Sequence, residues 1–82
     1  MLNKKDIGRI TEIISEYADI NHSMINLSSA LREIFDNHEF IALDAIESIE
    51  NEFGVKLLLG VDYSNVFDKY PDIQSVISKI EM

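Results

Sequence analysis

Glu39, Asp44, Glu47 and Glu50 are the side chains with the most chemistry to offer, because they recur along one short stretch with no counter-charge. That stretch is His38 to Phe53, HEFIALDAIESIENEF. No Lys or Arg occurs between Arg32 and Lys56, and seven acids fill the gap. Three kinds of chemistry could use such a cluster. Paired carboxylates can serve as acid and base, but they need a cleft, and 82 residues leave little room for one. Carboxylates beside histidine can hold a metal. His22 and His38 are the only histidines, and neither belongs to a His-x-x-x-His or His-x-x-Glu arrangement that would set two ligands on one helix face. The third use is docking. Like charges three and four residues apart cost a helix a little stability, a penalty that attraction to a basic partner would explain. A solvated helix in an acidic protein would show the same pattern. There is no glycine-rich phosphate loop and no serine or cysteine nucleophile signature, so the sequence points away from an enzyme and from a metal centre.

The elements that must position these acids follow from apolar spacing. Phe40, Leu43, Ile46, Ile49 and Phe53 predict a helix over 39–53 with one buried stripe. Glu39, Asp44, Glu47, Glu50 and Glu52 then fall on the other side. Asn3, with Asp6 three residues on, reads as the cap of a first helix over 3–18, carried by Ile7, Ile10, Ile13, Ile14 and Tyr17. Gly8 weakens it by about 1 kcal/mol relative to Ala. The long connection from Asn21 to Asn37 needs anchors, and Met24, Leu27, Leu31, Ile34 and Phe35 are the candidates. A short helix over 28–35, capped by Ser28 or Ser29, would bury Leu31, Ile34 and Phe35. Asp36 or Asn37 could cap the central helix, and Gly54 suits its end. VKLLLGV reads as an apolar connection, since a lone strand would have no partner. Val66, Phe67 and Tyr70 predict a short helix over 62–69. Pro71 ends it and opens a last helix over 72–80, built on Ile73, Val76, Ile77 and Ile80. The expected fold is all-α: one domain over 1–82, a small bundle of three main helices plus one short helix. Its expected core is Ile10, Ile14, Leu43, Ile46, Ile49, Phe53, Ile73 and Ile77.

Composition narrows the partners. A hydrophobic share of 46% supports a core, and the absence of cysteine leaves packed helices to stabilise it. A net charge of −8 argues against nucleic acid and against anionic membranes. No apolar run approaches the roughly 20 residues of a membrane span. The start, MLNKKDIG, lacks the apolar core of a signal peptide. A cytoplasmic monomer is expected.

The order of elements resembles the acyl carrier protein family. In that family a long loop ends in Asp-Ser-Leu, and a helix with a Val-Glu-Leu-like core and a Glu-Glu-Phe-like end follows. Here SSALREIFDNHEF occupies the loop end without a gap, and LDAIESIENEFGVKL follows the helix and its exit in register. Leu43-Asp44-Ala45 stands at the Val-Glu-Leu positions, Glu52-Phe53 at the helix end and Leu57 at the exit. YPDIQSVISKI resembles the final helix, and the segment between Leu57 and Tyr70 is longer than the family pattern. The resemblance implies a carrier-like bundle serving fatty acid or secondary-metabolite biosynthesis. It also implies that acids of the central helix, here Asp44 and Glu50, meet a basic patch on a partner enzyme; the family acid after Glu50 is here Asn51.

The departure falls where the family carries its cofactor. Carriers bear phosphopantetheine on the serine of Asp-Ser-Leu, and this chain has His38-Glu39-Phe40 there. A carboxylate cannot replace the hydroxyl nucleophile the transferase needs. Ser28 and Ser29 lie too early and Ser48 too far inside the helix. The expectation is therefore a carrier fold without phosphopantetheine. Glu39 still favours the positive end of the helix by about 0.3–1 kcal/mol, and would place an anion where the family has its phosphate. It serves equally as a good first-turn residue and nothing more. Two other readings stand beside this one: a working carrier loaded at an unexpected serine, and a structural or regulatory bundle.

Overall fold

The first long helix, α1, spans Lys4–Ala18 because both of its ends are specified locally. The Asn3 side chain accepts the Asp6 N–H at 2.9 Å, and the Asp6 carboxylate accepts the Asn3 N–H at 3.2 Å. This reciprocal pair satisfies two of the donors a helix start leaves open. The helix ends on Asp19, in the left-handed region at φ 58°. A 3₁₀ turn over His22–Met24 follows, then α2 (Leu31–Ile34), α3 (Glu39–Phe53), α4 (Val66–Lys69) and α5 (Ile73–Glu81). The structure is a computed structural model and describes residues 2–82. It is all-α; among the described residues the only strand-like pairing is an isolated bridge between Ala30 and Asp72.

The core is one cluster. Ile10, Ile13 and Ile14 of α1 meet Ala42, Ala45, Ile46 and Ile49 of α3, and Ile73, Val76 and Ile77 of α5 pack into the same cluster. Leu31 and Phe35 from the long connection, with Leu57, Val66, Phe67 and Tyr70, complete it. Six of the eight expected core residues are buried there; Leu43 and Phe53 are half-buried against it.

Phe40 is the clear departure, 65% exposed rather than part of the buried stripe. Steps of three residues fall short of the 3.6-residue turn by about 60° each, so Phe40 lies about 180° from Ile49. Ala42 and Ala45 occupy the buried side instead.

The connection between α1 and α3 is tied to the rest by its backbone. The Leu31 N–H donates to Pro71 O at 2.8 Å, and the Gln74 N–H donates to Leu27 O at 3.0 Å. Of the expected anchors, Leu31 and Phe35 are buried and Met24 is 79% exposed. Helix α2 is shorter than expected and has no side-chain cap. Ser28 and Ser29 instead close a turn on Asn26, whose Oδ1 accepts from the Ser28 N–H and whose N–H donates to Ser29 Oγ. The predicted helix over 62–69 begins only at Val66. Asp62–Asn65 forms a turn in which Asp62 Oδ1 accepts the Ser64 N–H and Asn65 Oδ1 accepts the Asp62 N–H. Asp72 caps α5, exchanging bonds with Ser75.

VKLLLGV has no ladder to satisfy its backbone; the Val55 N–H donates to Glu50 O and the Val61 N–H to Leu58 O, and side chains serve the middle. Glu50 accepts the N–H groups of Leu57 and Leu58, and the buried Tyr70 hydroxyl donates to Leu57 O. Leu57 is thereby held at both its N–H and its carbonyl, with its side chain in the core. Tyr70→Phe leaves that carbonyl without its donor while keeping the ring. The expected loss is about 1 kcal/mol in urea unfolding, with the fold unchanged by circular dichroism.

Candidate functional site

The start of α3 is built by two left-handed residues. Asp36 and Asn37 sit at φ 51° and 62°, a region that Asp and Asn tolerate better than other side chains. The turn is closed by the Asn37 N–H on Arg32 O at 2.8 Å and the His38 N–H on Phe35 O at 2.9 Å. This geometry places His38, not Asp36 or Asn37, at the capping position, and no side chain caps the helix. His38 Nδ1 lies 3.0 Å from Phe35 O, so the ring is turned back toward the preceding segment. Glu39 follows in the first turn, half-buried, where a carboxylate suits the positive end of the helix.

The outer face of α3 carries Phe40, Asp44, Glu47 and Asn51, all exposed. Their spacing of four, three and four keeps them within about 60° of one another on a helix of 3.6 residues per turn. Phe40 is not alone at the end of this stripe. The Tyr63 ring from the α3–α4 connection stacks on it, centroids 5.4 Å apart and planes 26° apart, and is itself 58% exposed. The surface is therefore an exposed aromatic pair followed by two carboxylates. Among the described residues neither Asp44 nor Glu47 is in a salt bridge; the ion pairs all converge on Arg9.

The two acids nearer the end of α3 are engaged. Glu50 accepts the Leu57 N–H at 2.6 Å and the Leu58 N–H at 2.8 Å. Those two backbone donors hold its carboxyl below the ordinary carboxylate range, against a smaller opposing effect of burial. Glu50 was expected on the open face; three residues beyond Glu47, it has rotated to the flank where the exit segment passes. Burial, with the negative charge of Glu50 adding to it, pushes the Tyr70 hydroxyl up. Glu52 takes a two-pronged bond from Arg9, Nε at 2.6 Å and a terminal nitrogen at 2.9 Å, which holds its carboxyl down. Arg9 also pairs with Glu12 and Glu16. The basic residue missing from the α3 sequence thus arrives from α1, but only at the far end of the helix.

The remaining candidates stay apart from this face. Ser28 and Ser29 lie in the Asn26 turn, and Ser48 is half-buried in the middle of α3. His22 sits in the 3₁₀ turn, and among the described residues no three His, Asp or Glu side chains group closely enough to hold a metal. No helix of the described residues is long and apolar enough to cross a membrane. Sequence periodicity carried the signal for Phe40, through its angle from Ile49; nothing in the spacing could bring Tyr63 to it. The chain matches no protein-family model, no curated protein and no solved structure.

Proposed function

We propose that this protein is a non-catalytic interaction module built like an acyl carrier protein, without a phosphopantetheine arm, which docks through α3 on a basic patch of a biosynthetic enzyme. One observation carries the reading. Where the long connection meets α3, the side chain is the carboxylate of Glu39, and beside it runs an exposed stripe of one sign, Asp44 and Glu47, with no basic partner among the described residues. The order of a long helix, a long connection with a short helix, an acidic helix, a short helix and a final helix supports the carrier-like part. Glu39 also supplies a fixed negative charge at a helix start, which is where a carrier would present its phosphate.

The arm is tested by mass. Incubation with coenzyme A and a promiscuous phosphopantetheinyl transferase is expected to leave the intact mass unchanged, because position 39 offers no hydroxyl. An added mass mapped to a serine would instead make the protein a working carrier. The double substitution His38→Asp with Glu39→Ser is expected to make the chain a better substrate, gaining the arm on the new hydroxyl.

A further inference from the structure

A second surface shares no residue with the α3 stripe. The segment after Leu58, the end of α4 and the length of α5 enclose an open groove of about 550 Å³. Its apolar lining is the half-buried Val61, the buried Tyr70 and the almost fully exposed Leu59 and Met82, and Lys69 and Lys79 line it as well. The Tyr70 hydroxyl donates to Leu57 O, so its proton is not free for an anionic ligand. Leu59 is 91% exposed, a large apolar side chain held in water by the turn at Gly60, whose φ of 77° is left-handed.

The charge at this groove runs against the rest of the molecule. The chain has seven basic residues against fifteen acidic ones. Arg9 is saturated by three carboxylates, and Arg32 lies over the Phe67 ring. Lys69 and Lys79 form no salt bridge among the described residues; Lys4, Lys5 and Lys56 are likewise without one, but only Lys69 and Lys79 line the groove. Each stands in the last turn of its helix, where a cation suits the negative helix end. That preference explains each lysine alone. It does not explain why both border the same apolar groove.

We infer that this groove binds a single-chain amphiphile with an anionic head. The apolar walls supply the affinity by burying the tail, and the two lysines select the sign of the head. The net negative charge of the protein repels anions at long range, so selection depends on the two lysines close to the head.

The probe is dodecanoate, titrated below micelle formation into the isotope-labelled full chain and followed by two-dimensional NMR. Saturable shifts are expected at Val61, Tyr70 and Lys79, with Phe40 and Tyr63 unmoved. Dodecyltrimethylammonium, with the same tail and the opposite head, is expected to bind more weakly. Lys69→Glu with Lys79→Glu is expected to weaken dodecanoate binding roughly tenfold, with the helical spectrum retained because both residues are exposed. Leu59→Asp, at an equally open position, is expected to weaken it as well. Equal binding of the two amphiphiles, an unchanged affinity in the lysine variant, shifts centred on Phe40, or no shifts at all would each overturn the assignment. Phosphatidylglycerol vesicles separate a free amphiphile from a lipid surface. No co-sedimentation is expected, and vesicle binding without a response to monomeric dodecanoate would replace the groove reading with a membrane one. The α3 docking surface can fail its own test without affecting this result.

Discussion

Glu50→Ala is expected to lower the unfolding free energy by about 2–3 kcal/mol at neutral pH, a large effect for a residue on a helix flank. Its carboxylate is the acceptor for two backbone N–H groups, those of Leu57 and Leu58, and bonds to a charged partner are worth roughly 1.5–3 kcal/mol each when water cannot replace them fully. Alanine leaves both donors without that acceptor at the point where the chain leaves α3 and Leu57 enters the core. Glu50→Gln keeps one acceptor oxygen and removes the charge, so it is expected to cost less. The pH dependence follows from the lowered pKa. A carboxyl held below its ordinary value of 4.5 contributes stability that is fully present above that value and is lost as pH falls through the lower folded value. The gap between wild type and Glu50→Ala is therefore expected to be constant near neutrality and to shrink below about pH 4. Urea unfolding of both proteins across that range measures it. A gap that persists undiminished in acid would mean that the carboxylate charge is not what holds the segment.

From spacing alone Asp44, Glu47 and Glu50 are equivalent, three residues apart on one helix side. Three-residue steps drift around a helix, and by Glu50 the drift has moved the carboxylate to the side where the exit segment passes. Spacing alone makes Glu50→Lys look as harmless as a reversal at Asp44 or Glu47. With two backbone donors on the Glu50 carboxylate, that change would unsettle the exit segment and imitate a loss of docking.

The long helices were legible because their signals are local. Asn3 with Asp6, Asp72 with the residues after it, and Gly54 at φ 65° specify helix ends within a few residues of sequence. The isoleucine spacing of α1 and α5 specifies their buried faces. What was not legible depends on partners distant in the chain. Arg9 reaching Glu52, Tyr70 holding Leu57 and Pro71 accepting from Leu31 are each set by packing. The turn at Asp36 and Asn37 was ambiguous in sequence for a different reason. Asp and Asn favour both helix caps and left-handed turns, and here the turn prevailed, moving the cap to His38. The stripe through Phe40 leaves the buried side because steps of three fall short of the 3.6-residue turn. At the candidate site, Asp44 and Glu47 stand where the sequence put them, whereas Tyr63 came to Phe40 from a separate connection.

Asp44→Lys with Glu47→Lys is the change that tests the docking face without touching the fold. Both residues are exposed and neither forms a salt bridge among the described residues. Relief of their mutual repulsion is expected to leave stability unchanged or raise it by a few tenths of a kcal/mol. Binding to a basic partner is expected to fall by roughly ten- to a hundredfold, because these charges speed encounter and fix orientation. Wild-type binding should weaken between low and physiological salt, and the double variant should lose most of that salt dependence. The stacked ring at the end of the stripe adds a component that salt does not screen. Phe40→Ala is expected to cost about 2 kcal/mol of binding with the salt dependence retained, since an exposed aromatic beside a charged rim fits the anchor of such an interface. The measurement is affinity capture from the native host, followed by titration of the recovered partner against wild type and both variants at two salt concentrations. Equal affinity for the double variant and wild type would reduce the acidic helix to a solvated face. The remaining reading would then be a structural bundle whose acids serve solubility. A partner that loses affinity with Phe40→Ala but ignores both the charge reversal and salt would point instead to an apolar site centred on the Phe40–Tyr63 pair.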